Sequence, residues 1–441
     1  MNGENTEVKS LPEMEKIKVY GTRWAVLAIF VMYSASNAYQ WIQFSIITDV
    51  ITKYYGVSTL WVDWTSMIYM VLYVPFVFPA SYLLEKLGLR KSVLIGMIGT
   101  CAGSWLKLGS VSQDRFWVAF VGQSIVAFCQ IFVLSVPARV AAVWFGPSEV
   151  SSACSIGVFG NQLGVALGFF IPPLLVPAEK SMDETSQNLY IFYGSLAVIS
   201  TGILLLVLFF FKDAPPTPPS YAVAQQDSTG SFKEFVTSLK NLLRNRSFML
   251  LLSAYGINTG VFYAISTLLN QIILHYYPDG NEDAGRIGLA IVVAGMMGSV
   301  CCGVILDRYH KFKETTLVVY ALALIGMVLF TFTISTGLYV VYIISFLLGF
   351  FMTGLLPVGF ELAAELTYPE PEGTSAGLLN AAANLCGIIF TNFYSAIFYH
   401  VDVVWANISM SLMLVVGTIL LACTSPDLKR QAAQGEKNGV P

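Results

Sequence analysis

Charge is scarce in this sequence and histidine scarcer still. Of 441 residues, 12% are Asp, Glu, Lys or Arg, three are histidine, and the formal net charge is -3. With 56% hydrophobic residues and a mean hydropathy of +0.67, the composition excludes an ordinary soluble protein. The seven cysteines all fall inside apolar runs, so a disulfide framework is not expected. No zinc-spaced cluster, P-loop or nucleophile constellation is present, so neither an enzyme nor a resident metal or cofactor is expected, and no nucleic-acid partner. The first 23 residues hold no apolar core, so a cleavable signal peptide is not expected either. The most informative lack is internal. No Asp, Glu, Lys or Arg stands in the middle of any long apolar run. Intramembrane carboxylates are the usual proton relays and cation partners, so their absence argues against proton coupling and a strongly anionic cavity. A basic cluster at mid-depth is missing too, which disfavours phosphorylated or dicarboxylate solutes.

What is present is a series of twelve apolar runs long enough to cross a bilayer: about 24–49, 61–84, 91–111, 116–145, 150–177, 188–211, 247–277, 284–306, 315–336, 338–367, 373–399 and 404–425. The one long polar connection, 212–246, divides them six and six. It opens on the stiff Pro215-Pro216-Thr217-Pro218-Pro219 stretch, and its Ser231–Leu243 segment has an amphipathic helical pattern expected to lie on the membrane surface. The expected domains are a tail over 1–23, a six-helix half over 24–211, the linker 212–246, a second half over 247–425 and a tail over 426–441. Placing both tails in the cytoplasm puts 19 of the 24 lysines and arginines inside, which sets the orientation.

The halves echo each other. Glu85-Lys86-Leu87-Gly88-Leu89-Arg90 follows the second run and Asp307-Arg308 the eighth, each an acid–base pair at a tight turn. Glu149, Ser152, Ala153, Asn161 and Gly164 recur 223 residues later as Glu372, Ser375, Ala376, Asn384 and Gly387. Two such repeats resemble the major facilitator arrangement: an all-α membrane protein of twelve transmembrane helices in two pseudo-symmetric halves, with its site near midplane. Arg139, Glu361 and Glu365 lie near the cytoplasmic ends of the fourth and tenth runs. With Glu85, Lys86, Arg90, Asp307 and Arg308 they read as gating charges between the halves, or as solvated helix ends.

At mid-depth the polar residues are amides, aromatics and thioethers. Trp41 stands in the first run beside Asn37, Gln40 and Gln43 and reads either as a headgroup anchor or as a wall of a central pathway. The neighbouring amides favour the pathway. Tyr263, halfway along the seventh run, either bonds a neighbouring helix or joins Trp41 in an aromatic cage. Gln162 and Asn384 lie at similar depth in the two halves, as interhelical glue or as pathway lining. Such a lining suits a small ammonium compound held by ring faces, at about 2 kcal/mol when desolvated.

Several stretches resemble the feline leukaemia virus subgroup C receptor-related transporters: Asn37-Ala38-Tyr39-Gln40-Trp41-Ile42-Gln43, Val143-Trp144-Phe145-Gly146, Phe159-Gly160-Asn161-Gln162-Leu163-Gly164, Ser266-Thr267-Leu268-Leu269-Asn270 and Gly349-Phe350-Phe351-Met352-Thr353-Gly354. The resemblance implies plasma-membrane transport of choline and ethanolamine by a monomer in the lipid bilayer. An intracellular membrane, haem export, and a receptor or scaffold without a transport cycle are the alternatives. It also implies that Trp41 and Tyr263 hold the ammonium, with Asn37, Met70 and Gln162 lining the pocket. Asn384 stands where relatives carry glutamine, and the shorter amide loosens contact with a substrate hydroxyl.

Overall fold

In the computed structural model, which describes residues 18–146, 148–219, 231–429 and 432, the chain is entirely helical among the described residues. The first half contains α1 (Thr22–Ile42), a short α2 (Thr48–Tyr55), α3 (Thr59–Leu87), α4 (Leu89–Leu108), α5 (Phe116–Trp144), α6 (Val150–Leu175) and α7 (Met182–Phe210). After the linker helix α8 (Phe232–Arg244) come α9 (Arg246–Tyr276), α10 (Asn281–Tyr309), α11 (Phe312–Thr333), α12 (Leu338–Thr367), α13 (Glu372–His400) and α14 (Val403–Ala422). Most of the two expected tails and the middle of the linker lie outside the described residues.

Ten of the helices are long and apolar enough to cross a membrane. The two other long ones fall short for different reasons, α4 through Arg90, Lys91 and Lys107 near its ends and α1 through a polar seam shared with α4. Asn37 and Gln40 of α1 donate to Thr100 Oγ1 and Ser104 Oγ of α4 at 3.2 and 3.0 Å. Amides buried against a neighbouring helix are satisfied there, so low hydropathy in α1 reports on interhelical bonding. Elsewhere the bundle exposes large apolar side chains such as Phe209, Tyr339 and Ile343, as a surface solvated by lipid must.

Local chemistry sets the ends. The expected sixth run starts six residues early, at Met182, because Ser181 and Glu184 form a capping box. Ser231 caps α8 through Lys233 N. Helix α8 packs on the bundle: Asn241 bonds Glu370, the capping Asn245 Nδ2 donates to Leu366 O, and Phe235 rests on Phe78. The prolines kink nothing sharply enough to interrupt a helix; α3 continues through Pro75 and Pro79, and α12 through Pro357.

The first run departs most from expectation. Helix α1 stops at Ile42, a 3-10 turn occupies Ser45–Ile47, and α2 resumes at Thr48. Its counterpart α9 continues unbroken for 31 residues. The internal repeat is otherwise kept in the packing. Asn37 Nδ2 donates to Val126 O of α5 at 3.1 Å, and Asn258 Nδ2 to Met352 O of α12 at 3.0 Å. The halves meet along two seams, α6 on α10 and α3 on α13. At the first, a Cβ on Gly288 would come within 2.3 Å of the Phe169 ring, so only glycine allows this approach.

Candidate functional site

Four helices from both halves converge on the centre. Trp41 ends α1 on one side and is almost fully buried at 6% exposure, which removes the headgroup-anchor reading. Its indole meets Tyr263 of α9 edge to face, ring centroids 5.6 Å apart at 70°. Gly387 of α13 lies beneath. A Cβ built there would sit 2.8 Å from both Met70 Sδ of α3 and Tyr263 Cδ2, so the missing side chain lets thioether and phenol close over the α13 backbone. Trp41, Met70 and Tyr263 are thus brought together.

The amides are placed less uniformly. Asn37 does not join the central group: it is wholly buried, with its Nδ2 bonded to α4 and α5 inside the first half. Its Oδ1 has no partner among the described residues, while its nitrogen takes the nearest acceptors, as an amide in hydrocarbon does. Gln162 is half-buried on α6. Asn384, buried on α13, turns its Nδ2 back to Asn380 O at 2.7 Å.

At the end opposite the chain termini the halves are latched by hydrogen bonds. Ser66 and Thr267 hydroxyls meet at 2.9 Å. Asn270 Nδ2 donates to Ile46 O and to Asp49 Oδ1, at 3.0 and 3.1 Å. Gln271 Nε2 donates to Asp63 Oδ1 at 2.7 Å while its Oε1 accepts from the Tyr399 hydroxyl, joining α3, α9 and α13. Asp63 is fully buried and its second oxygen has no partner.

The termini end carries the expected gating charges. Arg90 acts within the first half: its Nε and Nη2 donate to Phe211 O and Leu208 O, and its backbone N to Asp213, so it caps α7. Lys86, Arg308 and Glu361 are exposed, Arg139 is half-buried and Glu365 is buried. The Glu85 and Asp307 side chains lie outside those described. The ion pairs described are each inside one half, Arg23 with Glu149 and Arg286 with Glu282 and Asp283.

Sequence reasoning missed two buried charges, Asp63 and Lys107. Lys107, near the end of the third run, had counted among the five lysines and arginines not placed in the cytoplasm, yet it is fully buried, with Nζ on Gln40 Oε1 at 2.8 Å and Gln123 Oε1 at 2.5 Å. Both stand near a helix end, where charge ordinarily reaches water. The signal was the amides at Gln40, Gln123 and Gln271, which need strong partners in an apolar interior. The three histidines are all exposed, His275 against Tyr276 and Phe398.

The family model described as the Major Facilitator Superfamily matches residues 25–391. The zebrafish choline/ethanolamine transporter flvcr2a is 47% identical over 99% of this chain and 92% of its own length. The chain belongs to the feline leukaemia virus subgroup C receptor-related family of major facilitators. The human choline/ethanolamine transporter FLVCR2 is 46% identical over 96% of this chain and 81% of its own. Among solved structures, a bacterial homologue of the human lysosomal transporter Spinster, inward-facing and occupied, superposes with a TM-score of 0.72 at 10% identity, covering 92% of this chain and 97% of that one. That likeness extends the major facilitator architecture to the three-dimensional level. This family member is therefore a multi-pass membrane transporter of the major facilitator fold, with ten helices among the described residues long and apolar enough to cross a bilayer.

Proposed function

We propose that this protein carries choline and ethanolamine across the plasma membrane down their gradients, as a monomeric uniporter working by alternating access, with no chemical step. The observation that carries this reading is the Trp41–Tyr263 contact across the two halves, with Met70 and Gly387 behind it. An aromatic pair drawn from both halves senses their relative position, and its faces attract an ammonium without a fixed counter-charge. Relatives 46–47% identical that are named as choline/ethanolamine transporters support the substrate class. Gln162 and Asn384 flank the pair and take the hydroxyl end.

With both termini in the cytoplasm, the Asn270–Asp49, Gln271–Asp63 and Ser66–Thr267 bonds seal the extracellular side of the site. In the opposite state Glu85, Lys86, Arg139, Asp307, Arg308, Glu361 and Glu365 close the cytoplasmic side. Trp41→Ala tests the reading. Loss of about 2 kcal/mol of cation–π attraction lowers choline affinity about 30-fold with surface expression kept. Wild-type saturation of labelled choline uptake in that variant rejects the aromatic site.

A further inference from the structure

The break after Ile42 leaves the last carbonyls of α1 without helical partners, directly at Trp41. They are served from the side. Gln123 of α5 donates its Nε2 to Gln40 O at 2.7 Å and to Thr65 O of α3 at 3.0 Å. Its Oε1 accepts from Lys107 Nζ at 2.5 Å and from Gln43 Nε2 at 3.4 Å. Lys107 also donates to Gln40 Oε1 at 2.8 Å, and Gln40 Nε2 passes to Ser104 Oγ. All four side chains, Gln40, Gln43, Lys107 and Gln123, are fully buried.

The chain of bonds has one direction. Lys107 Nζ donates to both glutamine oxygens, and the Gln123 nitrogen faces the two carbonyls, which can only accept. Without Lys107, Gln40 Oε1 loses its described donor and Gln123 Oε1 keeps only the long bond from Gln43, so both amides are held less firmly. Two helix C-termini, of α1 and α4, end near the ammonium and supply partial negative charge, and the Phe44 ring lies 5.5 Å away. The unbroken helix α9 in the second half needs no such device.

We infer that Lys107 and Gln123 are positioning residues for the substrate site: together they hold the interrupted end of α1 so that the Trp41 indole keeps its place against Tyr263. This rests on the reading of Trp41 as a substrate contact, and the test separates the two. Lys107→Met removes the ammonium at similar volume. Gln123→Glu keeps an acceptor for Lys107 and adds an ion pair, but it cannot donate to Gln40 O. Saturation of labelled choline uptake and the melting temperature of the unliganded full chain are measured for both variants, with Trp41→Ala alongside. Both are expected to raise KM about tenfold, as an ångström-scale misplacement of a contacting group does, with Vmax per surface transporter kept within about twofold. Gln123→Glu is expected to do so while melting no lower than the wild type. A wild-type KM in Gln123→Glu, or in a Lys107→Met that reaches the surface, overturns the inference when Trp41→Ala has lost affinity. Should Lys107→Met not reach the surface, Gln123→Glu decides alone. A wild-type KM in Trp41→Ala instead overturns the underlying reading.

Discussion

Gln271→Ala should release the seal at the end opposite the chain termini. Gln271 is the shared partner of a buried carboxylate and a phenol: it donates to Asp63 Oδ1 at 2.7 Å and accepts from Tyr399. Asp63 already has one oxygen without a partner, so removing the amide leaves the carboxylate with no described side-chain donor. Leaving a buried polar group without its hydrogen-bond partner costs about 1–3 kcal/mol. That loss falls on the closed state, because the bond joins the two halves and breaks when they part. Taking about 2 kcal/mol, the ratio of sealed to open molecules falls about 30-fold. Spin labels at the exposed positions Ser58 and Asp279, one per half, report the separation of the halves at this end by pulsed resonance. A second, longer distance population should appear in the variant without substrate. An unchanged distance distribution, in a variant of unchanged melting temperature, refutes the assignment of these bonds as the seal.

Further consequences are open to measurement. Gly387→Ala places a methyl 2.8 Å from both Met70 Sδ and Tyr263 Cδ2; overpacking of about 1–3 kcal/mol should raise choline KM about tenfold, and an unchanged KM argues that the two side chains do not line the site. Asn384→Gln extends the amide by one methylene beyond the reach of its own-helix bond to Asn380 O. Gaining one hydrogen bond to the substrate hydroxyl, about 1 kcal/mol, should tighten choline and ethanolamine about fivefold, read by competition uptake.

The architecture was legible because each helix advertises itself: charges and turns bracket the apolar runs, and the 223-residue echo carries the duplication. Trp41 and Tyr263 were legible because aromatic and amide groups are conspicuous in hydrocarbon. Asn37 was equally conspicuous, yet burial alone does not say which way an amide turns; Thr100 and Val126 decided that, from helices elsewhere in the chain. Lys107 was hidden for the opposite reason. It stands one residue before the end of α4, where a lysine ordinarily reaches water, and its burial depends on Gln40 and Gln123 meeting it from two other helices. The interruption of α1 was equally invisible, since its flanks are as apolar as any continuous helix. Arg90 read as a charge between halves because its sequence neighbourhood shows nothing of the α7 carbonyls that take its donors.

The linker is moored at both ends. On one side Asp213 takes the Arg90 amide and Thr217 bonds the Tyr20 hydroxyl; on the other Asn241 and Asn245 tie α8 to Glu370 and Leu366. Helix α8 also touches the first half, through Phe235 on the Phe78 ring of α3, so it bridges the two halves at the termini end. Any motion that parts the halves there must slide α8 off one of them, which makes the linker helix a passenger of one half and a brake on the other.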